Sequence, residues 1–188
     1  GQDISGDWGT VSLSGDGNTI AAGNDANSGN VRIYNYNGGS WTQIGNDING
    51  EGAYDYSGRS VSLSSNGSRV AIGAPGNSEN GNASGHVRIY ENIGGSWSQI
   101  GNDIDGEAAE DNSGSSVSIS SDGQVISIGA PYNDGNNGSL SDNRGHVRIY
   151  SFNGTSWNQL GNDIDGEASG DQSGWSVSLS SDGSTVAI

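Results

Sequence analysis

The sequence predicts an all-β fold, and three observations support this prediction. Short segments that alternate apolar and small residues recur along the whole chain, as in Val11-Ser-Leu13 and Val117-Ser-Ile119. Asp-Gly or Asn-Gly dipeptides separate pairs of these segments, and such dipeptides are the strongest short-range signal of a β-hairpin. No stretch shows the apolar period of an amphipathic helix over a useful window. We therefore expect antiparallel hairpins throughout the chain.

The chain is a single tandem array of one repeating unit. Its copies cover residues 1–44, 45–100 and 101–160, followed by a partial copy at 161–188. Each full unit holds two hairpin signals and therefore four antiparallel strands, which is typical of a β-propeller blade. Tandem sandwiches need more strands per domain, and a β-solenoid has shorter coils and parallel strands. We expect about three and a half blades, which belong to a larger propeller because propellers usually close with about four to eight.

The first hairpin of each unit is expected to form the inner strands of a blade. If Asp16-Gly17 is a two-residue type I′ loop, with positive φ at both positions, Leu13 lies opposite Ile20. The equivalent pairs in the later units are Leu63–Val70, Ile119–Ile126 and Leu179–Val186. The second face of this hairpin carries only small residues, which indicates that a neighbouring sheet approaches it closely. In the third unit these small residues are Ser116, Ser118, Ser127 and Gly129.

The second hairpin of each unit carries an aromatic pair. Loops at 37–38, 93–94 and 153–154 predict that a tyrosine faces a tryptophan across the two strands. The predicted pairs are Tyr34–Trp41, Tyr90–Trp97 and Tyr150–Trp157. Such pairs most often stabilise a sheet, and stacking of a carbohydrate on them is the alternative.

Charge and composition exclude several functions. The net charge is −16 and the chain has no lysine, so its field repels nucleic acid and anionic membranes. Without cysteine, neither a disulfide framework nor a thiolate metal site can form. No apolar run is long enough to span a membrane, so membrane insertion is not expected.

Short motifs link the repeats to a known family. Ser57-Gly-Arg-Ser-Val61 with Gly73-Ala-Pro75, Ser113-Gly114 with Gly129-Ala-Pro131, and Ser173-Gly-Trp175 each stand beside an inner hairpin. This pattern resembles the FG-GAP repeat of integrin-α-like β-propellers, with Ser-Gly in place of Phe-Gly. The Gly-Asn-Asp-Ile-Asp-Gly-Glu segments also look like repeat arrays of large secreted or cell-surface bacterial proteins. The resemblance implies adhesion, surface scaffolding or filament assembly outside the cell.

The resemblance raises the question of whether this chain binds calcium. The family binds it with an Asp-x-Asp-x-Asp-Gly loop, whereas the matching turn here, Ser121-Asp122-Gly123, offers a single carboxylate. That site is therefore not expected. Weaker candidates are the acidic segments that open the third and fourth units, which we interpret mainly as solvated connections with turn-capping aspartates. Their carboxylates are Asp103, Asp105, Glu107, Asp111, Asp163, Asp165, Glu167 and Asp171.

The arginine of each Val-Arg-Ile-Tyr strand invites two interpretations. Arg32, Arg88 and Arg148 could bind an acidic ligand such as a sulfated glycan. Because they repeat on regular strands, we favour a structural role beside the aromatic residues or against a carboxylate of an acidic segment.

Recognition is expected where the units differ. The connection after the second strand runs over 24–29, 76–85 and 131–145, and loops of variable length on a rigid repeat are typical binding surfaces. The binding candidates in the longest loop are Tyr132, Asn133, Asp134, Asp142 and Arg144.

No nucleophile, base and orienting group can be identified together, and repeat-equivalent acids seldom form one asymmetric catalytic pair. We therefore expect a non-catalytic, secreted or cell-surface module that binds a protein or glycan and associates with further blades. A glycan-active propeller enzyme or a lectin is the alternative.

Overall fold

A computed structural model describes residues 3–135 and 141–188, so Gly1, Gln2 and part of the 131–145 loop lie outside the described residues. The described chain is all-β, as predicted, and consists of three complete antiparallel sheets followed by one hairpin. Each sheet is a propeller blade. In the part of the chain that the structure describes, no helix is long and apolar enough to cross a membrane.

The strands follow one another in the same order in every blade. The first blade contains β1 (Thr10–Leu13), β2 (Thr19–Asn24), β3 (Asn30–Tyr36), β4 (Trp41–Gln43) and β5 (Ile48–Asn49). The second contains β6 (Ser60–Leu63), β7 (Arg69–Ala74), β8 (His86–Ile93), β9 (Ser96–Gln99) and β10 (Ile104–Asp105). The third contains β11 (Ser116–Ile119), β12 (Val125–Ala130), β13 (His146–Phe152), β14 (Trp157–Gln159) and β15 (Ile164–Asp165). The last hairpin consists of β16 (Ser178–Leu179) and β17 (Val186–Ala187).

The outer strand of each blade is split into two short strands. In the first blade, β4 and β5 both pair with β3, and Ile48 lies opposite Val31. The Gly-Asn-Asp-Ile segment that opens a sequence unit therefore completes the outer edge of the preceding blade. In the structure the blades span residues 10–49, 60–105 and 116–165.

The register of the inner hairpins is confirmed in all four copies. Leu13 lies opposite Ile20, and the equivalent pairs in the later copies also form. The expected type I′ loop is wrong, because Gly17 has a φ of 73° while Asp16 does not have a positive φ. The Gly17 amide donates to Ser14 O at 2.9 Å, and the Ser14 amide donates to Thr19 O at 2.8 Å. This longer loop has the same centre, so the register is unchanged.

The predicted register of the outer hairpins is wrong by two residues. Tyr34 lies opposite Gln43, and Trp41 lies opposite Tyr36 instead of Tyr34. The same shift places Trp97 opposite Asn92 and Trp157 opposite Phe152. The turns are centred one residue later than predicted, at Gly38-Gly39, Gly94-Gly95 and Gly154-Thr155. A glycine with a positive φ takes the first position of each.

Successive blades contact each other through the small faces of their inner strands, as the serine pattern indicates. The hydroxyls of Ser12, Ser62 and Ser118 each accept a hydrogen bond from an inner-strand amide of the next blade, at 2.9–3.1 Å. A Cβ atom at Gly73 would lie 2.0 Å from Gly114 O of the next blade. The Gly of Gly-Ala-Pro and that of the following Ser-Gly therefore allow the blades to meet.

Two apolar clusters fill the spaces between blades. One lies between the first and second blades and includes Ile33, Ile48 and Leu63; the other lies between the second and third and includes Ile89, Ile104 and Ile119. Each blade thus shares its core with its neighbours, as expected for a repeat array.

Candidate functional site

The loops and the connections between blades meet at one face of the molecule, which we call the loop face. Residues 50–59 run along the 24–29 loop, where the Tyr56 amide donates to Asn27 O at 3.2 Å. The Asn112 amide donates to Ala83 O at 3.1 Å, and the Gln172 amide donates to Asn143 O at 3.1 Å, in the two following copies. The described part of every variable loop is therefore held against the connection that follows its blade.

Most of the predicted binding residues in the longest loop are used to hold that loop. Asn133 Nδ2 donates to Asp111 Oδ2 at 3.0 Å, and Arg144 Nε pairs with Asp142 Oδ2 at 2.6 Å. Asp134 Oδ1 accepts from the Asn143 amide at 2.9 Å. Asn133 and Asp142 are both buried. These four side chains have structural contacts, which leaves Tyr132 as the member of the set that faces a groove.

The groove at Tyr132 has a volume of about 230 Å³ and crosses three successive repeats. Tyr132 packs edge-on against Trp175, with ring centroids 6.2 Å apart. Asn112 Nδ2 donates to Pro75 O at 3.0 Å and so fixes the base of the groove. The lining residues are Arg59, Pro75, Asn112, Ser115, Tyr132 and Trp175.

The sequence interpretation missed Arg59 and Trp175. Trp175 is 59% exposed, and the Arg59 side chain is 57% exposed while it pairs with Asp25 at 3.2 Å. Both directly follow a Ser-Gly pair, as does Ser115. The sequence does contain a signal for these residues: this position varies from unit to unit, whereas the residues on either side of it repeat.

A second polar site, which contains a histidine, lies at each of the two junctions between complete blades. His86 and His146 begin the third strands of their blades and are fully buried. His86 Nδ1 lies 3.6 Å from Asp103 Oδ2 and 4.0 Å from Glu51 Oε2. Burial, together with the neighbouring Arg88 guanidinium, lowers the pKa of His86 below its ordinary value, so its imidazole is neutral at pH 7.

The arginines of the third strands have structural contacts, as favoured from sequence. Arg88 Nη2 donates to Asn49 O of the preceding blade at 2.8 Å, and its Nη1 pairs with Glu51 at 3.3 Å. The guanidinium also lies 5.6 Å from the Tyr90 ring centroid. Arg148 repeats these contacts with Asp105 O, Glu107 and Tyr150. Arg32 instead pairs with Asp47 at 2.9 Å.

The eight acidic candidates separate into three groups. Asp111 and Asp171 cap turns, because their Oδ2 atoms accept from the amides of Ala108 and Ala168 at 3.0 and 2.7 Å. Asp103, Glu107 and Asp163 belong to the histidine junctions. The remaining three are exposed; these are Asp105, Asp165 and Glu167.

The outer tryptophans pack between blades. Trp97 Nε1 donates to Ile44 O of the preceding blade at 3.1 Å, and Trp157 Nε1 donates to Ile100 O at 3.0 Å. Both rings are half-buried against the apolar clusters. These contacts give them the stabilising role that the sequence favoured over carbohydrate stacking.

Comparison with known proteins confirms the repeat and the fold. The FG-GAP repeat family model matches residues 49–90, which contain Ser57-Gly58 and Gly73-Ala-Pro75. The match covers the connection after the first blade and the second blade as far as β8. No curated protein matches the chain in sequence at a significant level.

Solved structures with propeller-like folds resemble most of the chain. Hydrazine synthase from Kuenenia stuttgartiensis superposes with a TM-score of 0.59 and 13% identity, over 99% of this chain and 43% of that one. A putative 6-phosphogluconolactonase from Bacteroides uniformis gives 0.58 and 15%, over 89% and 43%. Its counterpart from Bacteroides fragilis gives 0.56 and 13%, over 86% and 40%. The chain thus spans less than half of each structure, and at these identities the similarity shows the fold alone.

Proposed function

We propose that the chain is a non-catalytic binding or scaffold module of a secreted or cell-surface protein, and that its ligand binds the groove at Tyr132 and Trp175. The proposal rests on one observation: the positions at which the repeats differ from one another lie at this groove. Arg59, Ser115 and Trp175 occupy one repeat position and have three different chemistries. Gly76 and Tyr132 occupy a second variable position, directly after the proline of their units. The groove therefore concentrates variation on a scaffold whose strands hardly vary, which is how repeat proteins usually achieve specificity.

The groove chemistry favours a glycan or a protein segment with an apolar face. Two aromatic rings supply flat apolar surface with polar edges, and such rings are enriched where proteins bind partners. Arg59 adds an exposed guanidinium to the lining of the same groove. A ligand that combines an apolar face with hydroxyl or carboxylate groups fits both features.

Catalysis is not supported by the same groove. Glycoside hydrolysis usually needs two carboxyl groups on either side of the bond that breaks. Among the described residues that line the groove, none carries a carboxylate or an imidazole. This composition favours a binding module over the alternative of a glycan-active enzyme.

Binding to a panel of acidic and neutral polysaccharides and of cell-surface extracts tests the proposal. The Tyr132→Ala and Trp175→Ala variants should each weaken binding at least tenfold, since a stacked aromatic commonly carries a large share of such binding. Tyr54→Ala is the matched control, because Tyr54 is 65% exposed and lies outside the groove. Equal binding by all three variants would contradict the groove assignment. Release of reducing ends from any polysaccharide would contradict the non-catalytic assignment.

We also propose that further blades of the same kind cover the two end faces of the array. Val11 and Leu13 of the first blade are 61% and 56% exposed, whereas their equivalents Val61 and Leu63 are 8% and 7% exposed. Ile164 at the other end is 38% exposed, whereas its equivalent Ile48 is 6% exposed. Both ends thus present apolar surface that the inner blades bury against a neighbour. The partner that fits is another FG-GAP-like blade, from the same polypeptide or from a second copy.

A further inference from the structure

The junction between the first and second blades contains a buried histidine with unsatisfied nitrogens. His86 is 0% exposed, and neither Nδ1 nor Nε2 has a hydrogen-bond partner. A buried polar atom without a partner is costly, and such atoms commonly mark an ion or water that completes the site. Nδ1 points at carboxylate oxygens of Asp103 and Glu51, at 3.6 and 4.0 Å.

The carboxylates around His86 are held by their other oxygens. Glu51 uses Oε1 to pair with Arg88 at 3.3 Å, and its Oε2 faces the imidazole. Asp103 uses Oδ1 to accept from Gln99 Nε2 at 2.5 Å, and its Oδ2 faces the imidazole. Partners that orient a ligand through its second atom are the usual surroundings of a metal ligand.

Glu79 of the 76–85 loop completes the set. One ligand atom from each of Glu51, Glu79, His86 and Asp103 lies within 4.8 Å of the others. The four residues come from the connection after the first blade and from three parts of the second blade. A common centre therefore joins the two blades at the loop face.

We propose that Glu51, Glu79, Asp103 and His86 Nδ1 bind one divalent transition-metal ion of the zinc class. Four ligands with mixed nitrogen and oxygen donors suit zinc, whose bonds to such atoms are about 2.0–2.2 Å. Calcium prefers six to eight or so oxygen ligands and does not select an imidazole. A divalent ion together with Arg88 would also neutralise the three carboxylates. The ion's role is to hold neighbouring blades together. This role is independent of ligand binding in the groove.

The next junction contains an incomplete copy of this site. Glu107, His146 and Asp163 form the equivalent cluster, with His146 Nδ1 3.9 Å from Glu107 Oε2. Arg148 holds Glu107 at 3.7 Å, and Gln159 Nε2 donates to Asp163 Oδ1 at 2.7 Å. Gly135 stands where the first junction has Glu79, four residues after the proline. Among the described residues, the copy therefore offers three ligands and should bind the same ion more weakly.

Calorimetric titration of the chelator-stripped chain with zinc, and separately with calcium, tests the proposal. We expect one tight zinc site and one weaker site, with calcium binding weaker than zinc at both. Glu79→Gln should weaken the tight site by at least about 10-fold to 100-fold, the range for changing a hydrogen-bonding partner of a metal ligand, because it removes a ligand itself. It should also abolish the difference between the two sites. Because Glu79 is exposed, its variant should melt at the wild-type temperature in the presence of chelator.

Glu110→Gln is the matched control, since Glu110 is an exposed acid of the same face outside both clusters. His86→Gln should remove the tight site, and Asp103→Asn provides the same test if the buried substitution prevents folding. Cobalt should give the absorption of a tetrahedral ion in the wild type but not in Glu79→Gln. Absence of zinc binding by the wild type, or equal loss in the Glu79 and Glu110 variants, would overturn the proposal.

Discussion

At the residue scale, the turn of each inner hairpin uses an aspartate or an asparagine in the same way. Asp122 Oδ1 accepts from Ser120 Oγ at 2.6 Å and from the Gln124 amide at 2.9 Å. Asn66 Oδ1 makes the same two contacts in the second blade, with Ser64 Oγ and the Ser68 amide. The geometry therefore needs a side-chain oxygen but not a charge. The charge changes only how the turn responds to acid.

The hydrogen bonds in these turns predict an acid-sensitive component of stability. They lower the pKa of Asp122 below 3.8 and that of Asp182 to about 2, the hydroxyls of Ser120 and Ser180 being the largest cause. Since the folded state holds protons less tightly than the unfolded state, this stability is complete above pH 3.8. It is lost as the pH falls through the folded pKa. The double variant Asp122→Asn/Asp182→Asn should therefore lose less stability than the wild type on acidification.

Urea unfolding at about pH 5 and about pH 2.5 measures this difference. Asn66→Asp is the reverse control, because it introduces a titrating group into the same geometry and should steepen the pH dependence. An acid response that is the same in the wild type and both variants would show that the turn bonds do not couple to folding.

At the scale of a single element, the outer hairpins reach one register with different turn residues, namely Gly38-Gly39, Gly94-Gly95 and Gly154-Thr155. Gly95 has a φ of 90°, in the left-handed region, and a side chain there is strained. Gly39 occupies the equivalent position in the first blade, but its φ is not positive. The two loops therefore have different backbone conformations although each contains two glycines.

This difference predicts opposite effects of alanine at equivalent positions. Gly95→Ala should destabilise the chain by about 1–2 kcal/mol, the cost of a left-handed alanine. Gly39→Ala should be neutral or stabilise by a few tenths of a kcal/mol to about 1 kcal/mol, because it restricts the unfolded chain. Thermal unfolding should show a lower midpoint for the first variant only. A lower midpoint for both would indicate that the two loops share one conformation.

At the scale of the whole molecule, the array is held by interfaces between blades. Hydrogen bonds from backbone amides to serine hydroxyls join the inner strands, while tryptophans and buried arginines join the outer regions. Each blade completes the core of its neighbour, so the exposed end faces are the surfaces where association with another blade is expected.

The end faces predict concentration-dependent association of this chain. Val11→Ser combined with Leu13→Ser should reduce it, because the substitutions remove apolar surface that an additional blade would bury. Ile93→Ser is the matched control, since Ile93 is also 61% exposed but lies at the tip of an outer hairpin. Sedimentation velocity over a range of concentrations measures the effect. Association that is unchanged in the double variant, or equally reduced in the control, would contradict this prediction.

The sequence by itself determined the all-β class, the blades and the inner registers. These features depend on local information: strict alternation, which a one-residue slip would invert, and a turn signal at the centre of each hairpin. The small faces of the inner strands likewise predicted which surfaces meet, because residues as small as serine, alanine and glycine permit such close approach.

Only the tertiary structure decided the rest. The register of the outer hairpins depends on which adjacent residues take the turn positions. A shift of two residues leaves every side chain on the same face of the sheet, so the alternation in the sequence does not distinguish the two registers. The groove and the His86 cluster unite residues from different blades, such as Glu51 with Asp103 or Arg59 with Trp175. Each of these residues lies in a loop or at a strand end, where its partners are set by how blades stack. Contacts between loops and strand ends of different blades carry no periodic signal, unlike the small faces of the inner strands. These sites therefore became visible only once the blades were placed side by side.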